Sequence, residues 1–262
     1  MKPLRLDAEL VRRGLAGSRG EAKRLVDAGK VSVRGLAATG ASSLVAPDAP
    51  ITLSPAARAR FVSRAGDKLE GALARFSVPV SGRRWLDAGA STGGFTDCLL
   101  QRGAHAVVAV DVGYGQLDWK LRNDRRVVVL ERTNVRHLSP DDLPWRADGV
   151  VADLSFISLR LVLPALASVA ARRADHVLLV KPQFEVGRRA VGRRGVVREP
   201  EAWLGALKGV VEAGAKRGLG LLDAAVADPP GPAGNREFFV HLRAGVRSDD
   251  AALRRAVAEA GP

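Results

Sequence analysis

The run from Trp85 to Asp97 narrows the possible folds more than any other part of the chain. It reads as an apolar strand, a glycine-rich turn (D-A-G-A-S-T-G-G from Asp87) and the start of a helix. A second apolar strand, Ala106 to Val110, follows and ends in Asp111. From about residue 84 onward strands alternate with helical stretches, the mark of a parallel sheet covered on both faces. Such sheets bind ligands beyond the carboxyl ends of their strands. Glycines after the first strand let backbone and ligand approach closely, and an acid ending the second suits ribose hydroxyls. Asp87, Gly89, Ser91, Gly93, Gly94, Phe95 and Asp111 are therefore candidate cofactor contacts.

Two cofactor classes use this layout. Dinucleotide enzymes carry G-x-G-x-x-G and rest a pyrophosphate on the helix N-terminus. Here that fingerprint is absent and the loop begins with an acid. An acid there suits a ligand with ammonium and sulfonium charges better than a pyrophosphate, which favours S-adenosyl-L-methionine. The plainer alternative is a structural turn between strand and helix, made less attractive by the pairing of Asp87 with Asp111. Asn134 follows a third strand, Val127 to Leu130, where its amide can meet an adenine edge or simply cap a turn.

More charged residues stand at strand ends. Asp153 follows Val150 to Ala152, Lys181 follows His176 to Val180, and Glu237 precedes Phe238 to Val240. Lys68 opens a helix ahead of the glycine loop. Singly, each has a bland reading as a cap, a snorkelling strand end or a rim charge. A lysine ending a nearly continuous apolar strand is harder to dismiss, because burial and neighbouring carboxylates govern its protonation. Beyond it, the glycine-rich stretch from Gly187 to Arg198 holds Arg188, Arg189, Arg193 and Arg194. It reads as a loop that closes over an RNA backbone, or as a mobile surface loop.

The first sixty residues have a different grammar. Asp7 is expected to cap a short helix bearing Leu10 and Val11 that stops at Gly14. Ser18 begins a second helix, with Glu21 completing a capping box and Gly29 ending it. Lys30 to Arg34 alternates like a half-buried strand, and Ile51 to Leu53 forms another. Residues 1–60 carry 11 basic and 5 acidic side chains. Arg5, Arg12, Arg13, Arg19, Lys23, Arg24, Lys30 and Arg34 form either a phosphate-facing surface or a solvated helical face.

The whole chain is basic as well. Its 41 Lys and Arg outnumber 28 Asp and Glu, for a net charge of +13. That surplus points to polyanions, nucleic acid or an anionic membrane surface, unless it only reflects an arginine-rich genome. Cys98 is the only cysteine, which excludes an internal disulfide and a cysteine-built metal site. No signal-like apolar stretch follows Met1, and the run Leu161 to Ala171 contains Pro164 and falls far short of the ~20 residues of a membrane span. A soluble cytoplasmic protein is expected.

With these motifs in view, the chain resembles known families. Arg5-Leu6-Asp7, Ser18-Arg19, Ala22, Leu25, Gly29, Val31 and Val33 resemble the small αL RNA-binding domain of a small-subunit ribosomal protein. Lys68, Asp153, Lys181 and Glu237 look like the K-D-K-E tetrad of FtsJ-type ribose methyltransferases. Together with Ser63-Arg64, the glycine loop, Asp111 to Leu117 and Val180 to Glu185, residues 4–243 resemble the TlyA family, also filed as haemolysin A. The resemblance implies a doubly wound, Rossmann-like α/β methyltransferase sheet (residues 62–262), a linker (55–61) and a small α+β RNA-binding domain (1–54). It also implies S-adenosyl-L-methionine as cofactor, no metal, and 2′-O-methylation of cytidine in ribosomal RNA of the large subunit, in some members also of the small subunit. Lys181 would then lie nearest the 2′-hydroxyl with Asp153 orienting it, while Lys68 and Glu237 hold the ribose and the lysine. Arg64 joins the candidate RNA contacts.

Three rivals stay in view. A base amino methylase would show Asn/Asp-Pro-Pro-aromatic where this chain has Asp153-Leu154-Ser155-Phe156. An idle ribosome-assembly factor need not retain all four tetrad positions. A membrane-active haemolysin would need a spanning or pore-forming element. Phe61 and Trp119 can pack or stack, and core aromatics are the plainer expectation.

Overall fold

The computed structural model describes residues 3–54, 60–187, 191–192, 195–231 and 234–261. The chain divides into two compact units, Met1–Arg60 and Phe61–Pro262.

The first unit runs β1 (Leu4–Arg5), α1 (Leu6–Arg12), α2 (Arg19–Asp27), β2 (Val31–Val33), β3 (Leu36–Ala37), β4 (Leu44–Val45) and β5 (Ile51–Leu53). Strand β1 pairs with β4, and β3, β2 and β5 form an antiparallel sheet in that order. Leu6, Leu10, Ala22 and Val31 are fully buried between the helices and strands. Ser18 caps α2 by accepting from the Glu21 amide at 3.2 Å, but the Glu21 carboxylate takes the Gly17 amide, not that of the cap residue. Gly14 and Gly29 end their helices at φ +67°, a conformation that favours glycine.

Asp7 does not cap α1. The helix starts at Leu6, and Asp7 sits buried in its first turn. The reason is local charge: Arg5 and Arg19 grip its carboxylate at 3.0 and 3.1 Å, and the Ala8 amide donates to it at 2.8 Å. Glu9, wholly buried, is held likewise by Arg12 at 2.6 Å and Arg13 at 2.7 Å. Hydrogen bonds from Arg5 and Arg12, respectively the main cause, hold both carboxyls at about 2. Depressed carboxyl pKa values stabilise the fold above the ordinary range near 4, and that stabilisation is lost as pH falls toward 2.

The second unit runs α3 (Arg64–Arg75), β6 (Arg84–Ala88), α4 (Gly94–Gln101), β7 (Ala106–Val110), α5 (Trp119–Arg122), β8 (Val127–Leu130), β9 (Ala147–Ala152), α6 (Leu159–Val169), β10 (Ala170–Val180), α7 (Pro182–Glu185), α8 (Pro200–Ala215), β11 (Leu219–Val226), β12 (Phe238–Ala244) and α9 (Ala251–Ala260). Its seven strands lie in the order β11-β12-β10-β9-β6-β7-β8. Strands β10, β9, β6, β7 and β8 pair in parallel, while β12 runs antiparallel to both β10 and β11.

Alternation along the strands builds a core on each face. Trp85, Val107, Val151, Val177 and Phe239 pack with Leu69, Leu73 and Leu99 of α3 and α4. Leu86, Val108, Val150, Leu178 and Val240 pack with Leu163, Leu207 and Leu253 of α6, α8 and α9. The sheet is doubly wound, and each fully buried Leu or Val is worth about 1.5–3 kcal/mol of transfer free energy. Trp85 fits only because its neighbour in β9 is Gly149: a Cβ there would fall inside the indole ring. Phe61 is buried, as expected, but Trp119 is 75% exposed and belongs to no core. Pro164 lies within α6, and no helix among the described residues is long and apolar enough to cross a membrane.

The strand expected over His176 to Val180 begins earlier, at Ala170. Its register against β9 shifts between Ala170 and Asp175, so β10 carries three more residues there than β9 does.

Two consequences of this packing can be measured. Gly149→Ala should lower the stability of the second unit by about 1–3 kcal/mol, the usual penalty of overpacking, measured by urea unfolding with tryptophan fluorescence; an unchanged midpoint would contradict the fit under Trp85. Glu9→Gln should destabilise the first unit at pH 7, and the gap to wild type should close as pH falls from about 4.5 to about 2, followed by NMR of the Leu6 and Leu10 methyls during thermal unfolding.

Candidate active site

Sheet register brings the strand-end residues to one edge. Ala88 of β6 stands opposite Val110 of β7 and Ala152 of β9, while Val180 of β10 stands opposite Phe238 of β12. The residues one step further out are Gly89, Asp111, Asp153, Lys181 and Glu237. Helices α4 and α5 follow β6 and β7 on one face and α6 follows β9 on the other, so the crevice between β6 and β9 is the switch point of the sheet.

The glycine loop is shaped by backbone constraints. Gly89 (φ +86°) has no room for a Cβ, which would meet the Asp153 carbonyl oxygen, and Gly93 (φ +96°) would strike Leu121 and Leu117. A Cβ at Gly94 would collide with the Ser63 hydroxyl. Amides of Gly89 and Ala90 both donate to the Val110 carbonyl, at 2.8 and 3.0 Å. Asp111 ties two loops together, accepting from the amides of Ser91 at 2.8 Å and Gly113 at 2.7 Å. A cleft of about 240 Å³ opens here, lined among others by Gly89, Ser91, Thr92, Asp153, Ser155 and Lys181. Phe95 forms part of its wall while 98% buried against Phe239, with ring centres 6.0 Å apart.

Asp87 is fully buried. One oxygen accepts the Thr96 hydroxyl at 2.6 Å, and the other has no hydrogen-bond partner. Burial, reinforced by the charges of Asp153 and Asp111 and opposed by Thr96, pushes its carboxyl up to about 7. An unpartnered carboxylate oxygen beside a glycine loop fits a ligand carrying positive charge.

The four tetrad residues form two ion pairs. Lys181 Nζ lies 2.5 Å from Asp153 Oδ1 and donates to Ser155 Oγ at 3.2 Å. Lys68 Nζ lies 2.5 Å from Glu237 Oε2, with both side chains nearly buried. The first pair faces the cleft, and the second stands behind it on α3 and at the start of β12. This places an ammonium with a fixed orientation next to a shaped cavity, an arrangement suited to handling a proton or a developing oxyanion.

Other expected contacts fall differently. Asn134 accepts from the Arg136 amide at 3.0 Å, capping a short 3-10 turn, and like Asp87, Gly93 and Asp111 it is not among the residues lining the cleft. Arg64 is exposed at the start of α3. In the first unit Arg5 and Arg19 share Asp7, Arg12 pairs with Glu9, and Lys23 with Asp27 at 2.6 Å, although all four side chains stay about half exposed or more. Arg24 and Lys30 have no ion pair among the described residues. Arg188, Arg189, Arg193 and Arg194 lie outside the described residues.

Sequence reasoning passed over several contributors. Ser155 holds Lys181, and Thr96 holds Asp87. Glu185 receives the Leu159 amide at 2.6 Å and the Ser158 hydroxyl at 2.5 Å, fixing the start of α6. Phe156 has φ +65°, is 92% exposed and lies 5.3 Å from the Phe184 ring. Asn235, buried, accepts from the Val197 amide and donates to the Gly195 carbonyl. A bulky aromatic just after a strand-end Ser, and an Asn just before a strand-end Glu, were the available signals.

Residues 61–244 match the FtsJ-like methyltransferase family, and residues 4–49 match the S4 domain. The 16S/23S rRNA (cytidine-2'-O)-methyltransferase TlyA of Mycobacterium tuberculosis is 54% identical over 91% of this chain and 89% of its own. Hemolysin A of Brachyspira hyodysenteriae is 35% identical over 91% of this chain and 99% of its own. A solved structure from Streptococcus thermophilus, named for a hemolysin, superposes with a TM-score of 0.77 at 39% identity, covering 99% of this chain and 96% of that one. Agreement of that extent, through both units, shows that the chain belongs to the TlyA (haemolysin A) family of FtsJ-like methyltransferases.

Proposed function

We propose that this chain methylates the 2′-hydroxyl of a cytidine in ribosomal RNA, of the large subunit and in addition of the small one if it shares the range of its mycobacterial relative, with S-adenosyl-L-methionine as donor. The observation that carries the reading is the Lys181–Asp153 pair, held at 2.5 Å on the wall of the glycine-loop cleft.

A ribose hydroxyl is a weak nucleophile at neutral pH. The bound cofactor supplies a methyl group already activated on a sulfonium. What the protein must add is alignment and a destination for the hydroxyl proton. Lys181 meets the second need, because its Nζ receives the proton if neutral, or holds the developing alkoxide if charged. Asp153 and Ser155 fix where that nitrogen points. Lys68 and Glu237, paired and nearly buried, hold the start of β12 beside Lys181. Around the cofactor, Gly89, Gly93 and Gly94 permit close approach, Asp111 steadies the loop, and the free oxygen of Asp87 offers a partner for its positive charge.

RNA recognition divides between the units. The S4 unit offers Arg5, Arg12, Arg19, Lys23, Arg24 and Lys30 to phosphates, and Arg64 adds a charge at the start of α3. Phe156 presents an open aromatic face on which a nucleobase can stack. We read the protein as cytoplasmic, working on ribosomal subunits.

Lys181→Ala should lower methyl transfer from labelled cofactor to isolated ribosomal subunits by about 10²–10⁴-fold. Cofactor affinity, by calorimetry, should barely change, and the wild-type label should map to 2′-O-methylcytidine; undiminished transfer by the variant would refute the assignment. Because Asp87 titrates at about 7 and a cationic ligand favours its charged form, cofactor affinity should rise from pH 5.5 to pH 7. Asp87→Asn, which keeps an oxygen for Thr96, should bind more weakly at pH 7 with that rise flattened.

A further inference from the structure

At the end of the sheet away from Lys181, three arginines converge on one cavity. It measures about 510 Å³ and is lined by Arg172, Arg173, Arg243, Ala244, Gly245 and Val246. Its charge arises from the irregularity in β10. The three surplus residues between Ala170 and Asp175 have no counterparts on β9, and a bulge re-aims the side chains it carries. Both Arg172 and Arg173 lie in it, both are exposed, and neither is ion-paired among the described residues. The third, Arg243, reaches Asp175 only at 3.4 Å, an acid already held by Arg83 and His241 at 2.8 Å each.

The rest of the wall is fixed in place. Gly245 turns the chain at φ +78° beyond β12, and the Val246 carbonyl packs so closely on Gly220 of β11 that no side chain fits between them. Among the described residues no carboxylate lines the cavity, and Asp175, which meets Arg243, is buried outside it. Guanidinium groups gathered around an open space without an acid repel one another, and an anion relieves that repulsion. Their planar forks match the oxygens of a phosphate. Six steps of regular strand lead from Asp175, next to the irregular segment, to Lys181, about 20 Å at ~3.3 Å per residue.

We propose that this cavity is a phosphate site, which takes a backbone phosphate of the RNA substrate some 20 Å or more, by the same ~3.3 Å rise, from the methyl-accepting ribose. The inference rests on the RNA reading above. Its occupant is a phosphodiester of a large, folded RNA that reaches well past the nucleotide being modified; a free phosphate compound offers the same chemistry and is separated by experiment.

The test uses the full chain and an Arg172→Gln/Arg173→Gln double variant, whose altered positions are exposed and outside the methyl-transfer site. Binding to isolated large ribosomal subunits is measured across a salt series, together with cofactor affinity. The double variant should bind about tenfold or more weakly at low salt, and its slope of log K against log salt should be shallower by about 0.7–0.9, the release expected for one lost phosphate contact. Cofactor affinity and the methylation rate at saturating subunits should stay at wild-type values. If wild type binds subunits and the double variant matches it in affinity and slope, the inference fails and the methyltransferase reading stands. If wild type itself does not bind ribosomal subunits, the RNA reading fails and takes the inference with it. If inorganic phosphate binds wild type but not the double variant while subunit binding is equal in both, the site serves a free phosphate compound and the RNA assignment is overturned.

Discussion

A lysine and a glutamate 169 residues apart meet 2.5 Å apart inside the second unit, and they can meet only when the sheet has closed in one register. Lys68 belongs to α3, which precedes every strand of that sheet, and Glu237 stands at the start of its last strand. Two charges taken out of water recover their desolvation cost only with good geometry, so such a pair is weak evidence of net stability. Breaking it is another matter, since the partner left behind is a buried, uncompensated charge costing about 3–5 kcal/mol. The contact therefore acts on specificity of assembly. It ties α3 to the start of β12, the strand whose first residue, Phe238, pairs with Val180 just before Lys181.

Three carboxylates stand at neighbouring strand ends and are treated in three ways. Asp111 accepts one loop amide on each oxygen and is only partly buried. Asp153 meets an ammonium at the cleft wall. Asp87 is enclosed, half satisfied by a hydroxyl and titrates near neutrality. The side chain is the same each time; depth and neighbours give each a different environment.

Much of this was legible in the sequence because it is local. Glycines after a strand, acids at strand ends and an apolar strand running into Lys181 all announce themselves within a few residues. The alternation of β6 to β10 likewise reveals a sheet buried on both faces. What stayed hidden depends on residues brought together from afar. Asp7 reads as a helix cap until Arg5 and Arg19 are seen to converge on it. Asp87 reads as an ordinary acid until its burial is known, and Gly149 says nothing until Trp85 lies over it. Trp119 misled for the opposite reason: an indole is a sound guess for a core position, but α5 is a single turn with little core to face. Asn134 caps its own turn through its side-chain oxygen, one of the two roles its position offered.

The irregular start of β10 also has an evolutionary side. Strand faces alternate with every residue, so an odd-numbered insertion ordinarily turns the rest of a strand inside out. Here the three extra residues have no counterparts on β9, and from Asp175 onward the pairing with β9 resumes in step. Removing three residues would leave one opposite Asp148 and preserve the facing of everything downstream, Lys181 included. Change in the arginine-bearing segment, by substitution or by loss of those three residues, is thus free of the constraint that keeps Lys181 on its face of the sheet.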